Sequence, residues 1–302
     1  MLRPSIALPF LLVALIWGST WVVIVGQVSD VSPHWSVAFR FALAAPAMFV
    51  LALFMGGGLR MPKRAHRLAL AMGLFQFCGN YTFVYLAELH LTSGIVALLI
   101  GMMLVPNAIL GRLLLKQPIT ARFVAGSGIA LVGIGLLLWN EAIEGSAVAH
   151  LGGNVVLGTV LALIGMLSAS IANVIQAGPS GKDVKLVTLL AWAMLYGVVM
   201  DGALAFAISG PPSFPSDASY WLGTVWLALA GSVVTFPIYY GLVRQLGAGR
   251  AAYNGVLVVV IAMIISTVFE GYVWTAMAVG GAALAMLGLL VALRARQVKE
   301  AS

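Results

Sequence analysis

The sequence predicts an all-α integral membrane protein: ten transmembrane helices arranged as two inverted five-helix repeats. Three observations lead there. Charge is scarce, basic residues alternate between apolar runs, and the chain repeats itself at half its length. Of 302 residues, 62% are apolar and only 8% charged. A soluble domain carries roughly a quarter charged residues, so there is too little charge here to cover a water-facing surface. In lipid the backbone must satisfy itself, which admits helices. Each crossing takes about 20 apolar residues, so ten crossings with short links nearly exhaust the chain and leave no separate soluble domain. The 34 glycines agree, because small residues let transmembrane helices approach closely. A net charge of +7 does not indicate nucleic acid, since the basic residues form no stripe with interleaved aromatics. The single cysteine, Cys78, lies inside an apolar run and allows no intramolecular disulfide.

Taken in order, the elements each have a reason. The first apolar run follows Arg3 and continues through Trp17-Gly18-Ser19-Thr20-Trp21 to Val25. No A-x-A-like cleavage site follows, so it reads as a retained span rather than a signal peptide. The predicted spans lie at about 8–27, 34–56, 66–88, 92–114, 120–140, 154–177, 184–208, 218–244, 249–268 and 272–294. Asp30, Ser32 and Pro33 separate the first from the second. Gly56-Gly57-Gly58 and the basic stretch 60–67 end the second. Gln117-Pro118 ends the fourth, and Pro211-Pro212 with Pro215 links the seventh to the eighth.

Charge placement tests the count. With the N-terminus cytoplasmic, the inner segments hold Arg3; Arg60, Lys63, Arg64 and Arg67; Arg112, Lys116 and Arg122; Lys182 and Lys185; Arg244 and Arg250; and Arg294, Arg296 and Lys299, which is 15 of the 16 basic residues. The sixteenth, Arg40, falls within the second span. Outer links hold Asp30, Glu88, Glu141, Glu144, Asp217 and Glu270, with Asp201 near the outer end of span seven. Basic bias sets orientation, so both termini are expected in the cytoplasm of a multi-pass cell (inner) membrane protein.

The repeat has a period of about 154 residues. Ser93-Gly94, Lys116 and Gly126-Ser127-Gly128 in spans four and five are followed by Gly247-Ala248, Glu270 and Gly280-Gly281-Ala282 in spans nine and ten. Five spans per repeat is odd, so residues 1–145 and 146–302 are expected to insert in opposite orientations. Inverted repeats place a substrate site near the midplane, with alternating access from rocking one half against the other. This favours transport over a receptor or a membrane enzyme.

The motifs also carry a resemblance. Leu15-Ile16-Trp17-Gly18-Ser19-Thr20-Trp21 resembles the opening of the EamA repeat of the drug/metabolite transporter superfamily. Arg40-Phe41-Ala42-Leu43-Ala44-Ala45-Pro46, the Ser93-Gly94 entry to span four and the glycine-rich span five resemble it too. The resemblance covers nearly the whole chain as two tandem repeats and looks closest to the YddG-type aromatic amino acid exporters of bacterial inner membranes. It departs in two places. Gly165-Met166-Leu167-Ser168 lacks the Trp-Gly-Ser signature, and Lys116 stands where many members carry glutamate. The resemblance implies export of aromatic and other neutral amino acids or similar metabolites, probed below through the residues themselves.

Polar and aromatic residues inside spans must face the bundle interior, because lipid-facing polar groups are costly. The substrate-binding candidates are Trp17, Thr20, Trp21, Asn80, Tyr81, Asn173, Gln176, Trp192, Tyr239 and Asn254. Gln76, Tyr85, Ser170, Tyr196, Thr235, Tyr240 and Tyr253 are polar or aromatic too. Tyr239 and Tyr240 point in different directions on a helix, so one of them at most is expected to face inward. Interhelical glue is the bland alternative for Asn80 and Asn173. Pro237 can hinge or simply kink its span. Arg40 is expected to meet a carboxylate in an outer gate, either that of Asp201 or Glu270 or that of the substrate, or to snorkel. No Asp or Glu is expected at the centre of any span, and all four histidines (His34, His66, His90 and His150) fall at span ends. This predicts a facilitative carrier rather than a proton antiporter. Gly126, Ala130 and Gly133, and Gly281, Ala285 and Gly288, read as helix-packing faces of scaffold spans.

The expected partners are a small neutral or aromatic substrate and the lipid bilayer, with no cofactor, metal or nucleic acid. An intramembrane enzyme would need a nucleophile–base pair or a metal set, and the sequence offers neither. A channel would carry non-saturating flux. A broad-specificity drug or metabolite exporter of the same fold differs only in substrate breadth.

Overall fold

The computed structural model describes residues 4–28, 31–56, 58–116, 118–144, 153–177, 184–246 and 253–300. Every regular element among them is helical. In chain order they are α1 (Pro4–Val28), α2 (Pro33–Phe54), α3 (Lys63–Met72), a π-helical segment (Gly73–Asn80), α4 (Tyr81–Ala87), α5 (Ser93–Gly101), α6 (Leu104–Leu115), α7 (Ala121–Glu144) and α8 (Val155–Ala177). Then follow α9 (Leu186–Ser209), α10 (Ala218–Val225), a second π-helical segment (Trp226–Val234), α11 (Thr235–Leu246), α12 (Tyr253–Phe269) and α13 (Ala276–Glu300). Among the described residues, seven helices are long and apolar enough to cross a membrane, and Asn254–Phe269 and Ala276–Ala292 are shorter apolar helices. The stretch from α3 to α4 falls outside those seven.

Helix ends follow local chemistry. Proline at the start of α2 uses its fixed φ where no backbone donor is needed. Gly56, Gly210 and Gly271 take φ values of +66°, +72° and +67° just past α2, α9 and α12, the left-handed stop that glycine adopts without strain. Asp217 caps α10 by accepting from the Ser219 hydroxyl at 2.6 Å and from the Ser219 N–H at 2.9 Å, which together hold its exposed carboxyl below the ordinary aspartate range.

Packing is most extensive between α7 and α13. A Cβ on Gly133 would lie 2.3 Å from Ala285 N and 2.5 Å from Gly281 O, and one on Gly288 would lie 2.3 Å from Ala130 N and 2.6 Å from Gly126 O. The backbones are in direct contact, and the glycine faces expected to pack do so against each other. Elsewhere α2 lies on α9, α1 on α12, and α5 on α12. The first π-helical segment sits against α9 and α8, and the second against α2 and α1.

The two π-helical segments bring loosened backbone to the interior. Their wider turns leave carbonyls that neighbouring side chains satisfy. Ser168 Oγ donates to Phe75 O at 2.7 Å, Trp17 Nε1 to Gly231 O at 3.2 Å, and Ser232 Oγ to Leu227 O at 3.0 Å. Glycine permits the approach: a Cβ on Gly79 would meet Ser168, and one on Gly231 would meet Thr20. Pro237 follows the second segment, yet the first (Gly73–Asn80) contains no proline. Proline is therefore not the common cause of the wide turns. Such segments occur often at functional sites, and the cavity is lined by the first of them and by α11, which follows the second.

Candidate functional site

A central cavity of about 230 Å³ is walled by α1, α2, both π-bearing stretches, the α5–α6 junction, α8, α12 and α13. Of the predicted site residues, Trp17, Thr20, Trp21, Asn80, Tyr81, Asn173 and Tyr239 line it. Each is brought there by a local feature. Trp17 and Trp21 share a face of α1, one turn apart. Thr20 lies between them and donates back to Trp17 O at 2.7 Å, leaving its methyl toward the bundle. Asn80 and Tyr81 end the first π-helical segment and begin α4. Asn173 Nδ2 reaches Met103 Sδ at 3.0 Å across the cavity edge.

Aromatic rings shape the walls. Trp17 meets Tyr239 with ring centroids 5.0 Å apart and Phe236 at 5.7 Å, the latter edge to face. Phe41 packs edge-on against Tyr81 at 4.9 Å. Such pairs contribute roughly 0.5–1.5 kcal/mol each beyond the area they bury, so the walls are ordered before anything binds.

Three predicted substrate residues lie outside the lining. Asn254 is fully buried in α12, and its Nδ2 donates to Phe10 O at 2.7 Å. It fastens α12 to α1, while its neighbours Gly255 and Val256 reach the cavity. Trp192 donates to Leu59 O at 2.8 Å and packs on Phe49, His66 and Tyr196, closing the chain that leaves α2. Gln176 sits one turn beyond Asn173, near the end of α8. Gln76, one of the further polar residues named from the sequence, lines the cavity too, and so does Asn107, a polar residue not singled out. Asn107 follows Pro106 in an otherwise apolar run, and that lone amide was the signal available. Tyr240 also lines the cavity beside Tyr239, against the expectation that one at most would. The cavity wraps around α11, so positions 100° apart both reach it.

Arg40 is the largest correction. It neither snorkels nor pairs with Asp201 or Glu270. It is 1% exposed and lines the cavity. Its Nη2 donates to Ser232 Oγ at 3.2 Å, and its guanidinium carbon lies 4.4 Å from the centroid of the Tyr81 ring. Glu270 instead accepts from the Ser93 N–H at 2.8 Å, from the Ser93 hydroxyl, and from Ser266 Oγ at 3.2 Å. It therefore ties the end of α12 to the start of α5, where a carboxylate also meets the positive end of the helix. Asp201 lies within α9 rather than near its end. It is 1% exposed, beside Cys78, with neither oxygen hydrogen-bonded. An acid is thus buried inside a span where none was expected, although none lines the cavity. Among the described residues no group of His, Cys, Asp and Glu is arranged to hold a metal.

Two stretches of the chain, residues 5–139 and 156–294, match the EamA-like transporter family. Protein PagO of Salmonella typhimurium is 25% identical over 275 residues, spanning 91% of this chain and 86% of that protein. The uncharacterized transporter YyaM of Bacillus subtilis is 27% identical over 268 residues, 86% of this chain and 84% of that protein. The uncharacterized inner membrane transporter YedA of Escherichia coli is 28% identical over 261 residues, 85% of this chain and 80% of that protein. One crystal structure superposes on 98% of this chain and 99% of its own, with a TM-score of 0.65 at 21% identity. That is a likeness of fold alone.

Proposed function

This multi-pass membrane protein belongs to the EamA-like transporter family, and from that premise we propose that it exports neutral and aromatic amino acids, or small metabolites of similar shape, by alternating access. The reading has ten spans, both termini in the cytoplasm, and residues 1–145 and 146–302 as inverted repeats. The observation that carries the substrate class is the cavity itself, an aromatic chamber with a few polar groups and no acid. Flat, moderately apolar solutes stack on Trp17, Tyr81 and Tyr239, while Asn80, Asn107 and Asn173 are placed for polar ends. The volume of about 230 Å³ lies below the roughly 300–1,000 Å³ of drug-sized ligand sites. It therefore favours a small metabolite over the second reading, a broad-specificity exporter of the same fold.

The repeat reading draws on reciprocal packing. Gly126 faces Gly288 and Ala292, just as Gly281 faces Gly133 and Leu137. A single offset of 155 residues converts one set of contacts into the other. The π-helical segments recur at the same separation within a residue or two. Pro237 is proposed as a hinge beside the second of them. Transport is proposed to be facilitative, because no Asp or Glu lines the cavity.

The test is reconstitution in liposomes with labelled phenylalanine, tryptophan and threonine, with and without a proton gradient. Saturable uptake without the gradient supports the reading. No uptake of any amino acid sinks the substrate class, and a strict gradient requirement sinks the facilitative mechanism and turns attention to Asp201.

A further inference from the structure

A guanidinium is charged at every physiological pH, and a charge in the interior of a membrane protein is costly unless something neutralises it. Among the described residues Arg40 has no such partner. Its hydrogen-bond acceptors are neutral: Ser232 Oγ at 3.2 Å from Nη2 and 3.4 Å from Nε, and the Tyr81 hydroxyl at a long 3.5 Å. The rings of Tyr81 and Phe41, with centroids at 4.4 and 5.4 Å, add cation–π support, but no countercharge. Nη1 is buried and has no acceptor. Of the two acids that could have paired with it, Glu270 is engaged at Ser93 and Ser266, and Asp201 lies elsewhere, beside Cys78.

Three other residues that line the cavity also carry a buried side-chain atom without a partner. Trp21 Nε1 is a buried donor without an acceptor, and Asn80 Oδ1 and Asn107 Oδ1 are buried acceptors without a donor. Buried polar atoms in a folded protein are nearly always satisfied. Four such residues around one cavity match the complement of a ligand: an acceptor with negative charge for Arg40 and Trp21, and a donor for the two amides.

We propose that Arg40 is the carboxylate-binding group of the cavity, and that the carboxylate is the obligatory feature of what this protein carries. The inference rests on the reading of the cavity as the transport site. Arg40 Nη1 and Trp21 Nε1 hold the carboxylate. Asn80 and Asn107 accept from an amino or hydroxyl group on the adjacent carbon, and the side chain of the solute lies along the Trp17–Phe236–Tyr239 wall. The amides are neutral, so an ammonium improves the fit without being required. The cavity is therefore a site for small monocarboxylates, with neutral amino acids as one subset.

The experiment is ligand binding to the purified protein in lipid nanodiscs, using phenylalanine, 3-phenylpropionate, phenethylamine and phenylalaninamide. The first two keep the carboxylate, and the last two replace it. Wild-type protein is expected to bind the carboxylates on the order of thirtyfold or more tightly than the amine or the amide, the scale on which removing one partner of a buried charge pair is felt. Arg40→Gln should abolish that preference, and Arg40→Lys should keep part of it. The wild-type comparison stands even where Arg40→Gln fails to fold. If phenethylamine or phenylalaninamide binds as well as phenylalanine, the carboxylate inference is overturned while the amino acid reading survives. If 3-phenylpropionate binds and phenylalanine does not, the inference holds and the amino acid reading fails. If nothing binds, both are overturned.

Discussion

Substituting Gly133 by alanine tests the α7–α13 contact at its tightest point. The new Cβ would lie 2.3 Å from Ala285 N, 2.5 Å from Gly281 O and 2.9 Å from Ala285 Cα. All three are backbone atoms, so no side chain can rotate away. Restoring an ordinary separation of about 3.5 Å requires the helices to part by roughly 1 Å. That shift is shared along the interface, since Gly126 and Gly288 hold equally short approaches. Overpacking of this kind costs about 1–3 kcal/mol, which corresponds to an apparent Tm lower by several degrees, at about 2–4 °C per kcal/mol. The control is Gly135→Ala, two positions along the same helix, where an added Cβ meets nothing within 4 Å. There alanine should leave stability unchanged or raise it, as helix propensity favours alanine by up to about 1 kcal/mol. Thermal unfolding of both variants in one detergent decides the matter. Equal midpoints for Gly133→Ala and Gly135→Ala would refute the claim that these two helices meet backbone to backbone.

Three other outcomes follow from the site. Trp17→Ala removes ring contacts to Phe236 and Tyr239 and the donor to Gly231 O; at roughly 0.5–1.5 kcal/mol per aromatic pair, phenylalanine uptake should show KM raised about tenfold, and an unchanged KM would place the substrate elsewhere. Asn254→Ala breaks the bond to Phe10 O and should lower stability by about 1 kcal/mol while leaving KM alone; a KM effect without a stability effect would return Asn254 to the substrate site. Glu270→Gln weakens the attachment of α12 to α5 through Ser93 and Ser266, at a loss of about 1–2 kcal/mol for charge-assisted bonds, readable as a lower midpoint of thermal unfolding. A midpoint equal to wild type would show that these bonds hold nothing.

The helices were legible because apolar runs bounded by Pro, Gly and charged links leave few alternatives, and glycine faces such as Gly126, Ala130 and Gly133 are spaced to be read on one side of a helix. What escaped depended on facts absent from one dimension. In runs such as Gly73–Asn80 nearly every position is apolar, so a wide turn leaves no mark on the pattern. The turn at Met102 that divides α5 from α6 is hidden in the same way. For Arg40 the sequence leaves open whether the cation follows its stem to water. Whether it does depends on which face of α2 meets Ser232 and Tyr81, and that is set by partners 192 and 41 residues away in the chain. Trp192 failed for the opposite reason: it has the right residue type at a plausible depth, but its indole is committed to Leu59 O.

Scaffold and lining obey different constraints. Gly79 meets Ser168 where Gly231 meets Thr20, so these contacts equate Thr20 with Ser168 and, one turn earlier, Trp17 with Gly165. In the second half that position packs tightly, 3.1 Å from Asn80 O for an added Cβ. In the first half it carries an indole that reaches Gly231 O and walls the cavity. On the proposed reading, interconverting two inverted halves requires equivalent packing surfaces, and the glycine contacts would supply them. It does not require equivalent ligands. Recognition can therefore be unequal between the halves: Trp17, Trp21, Arg40, Asn80, Tyr81 and Asn107 belong to the first, and Asn173, Phe236, Tyr239 and Tyr240 to the second.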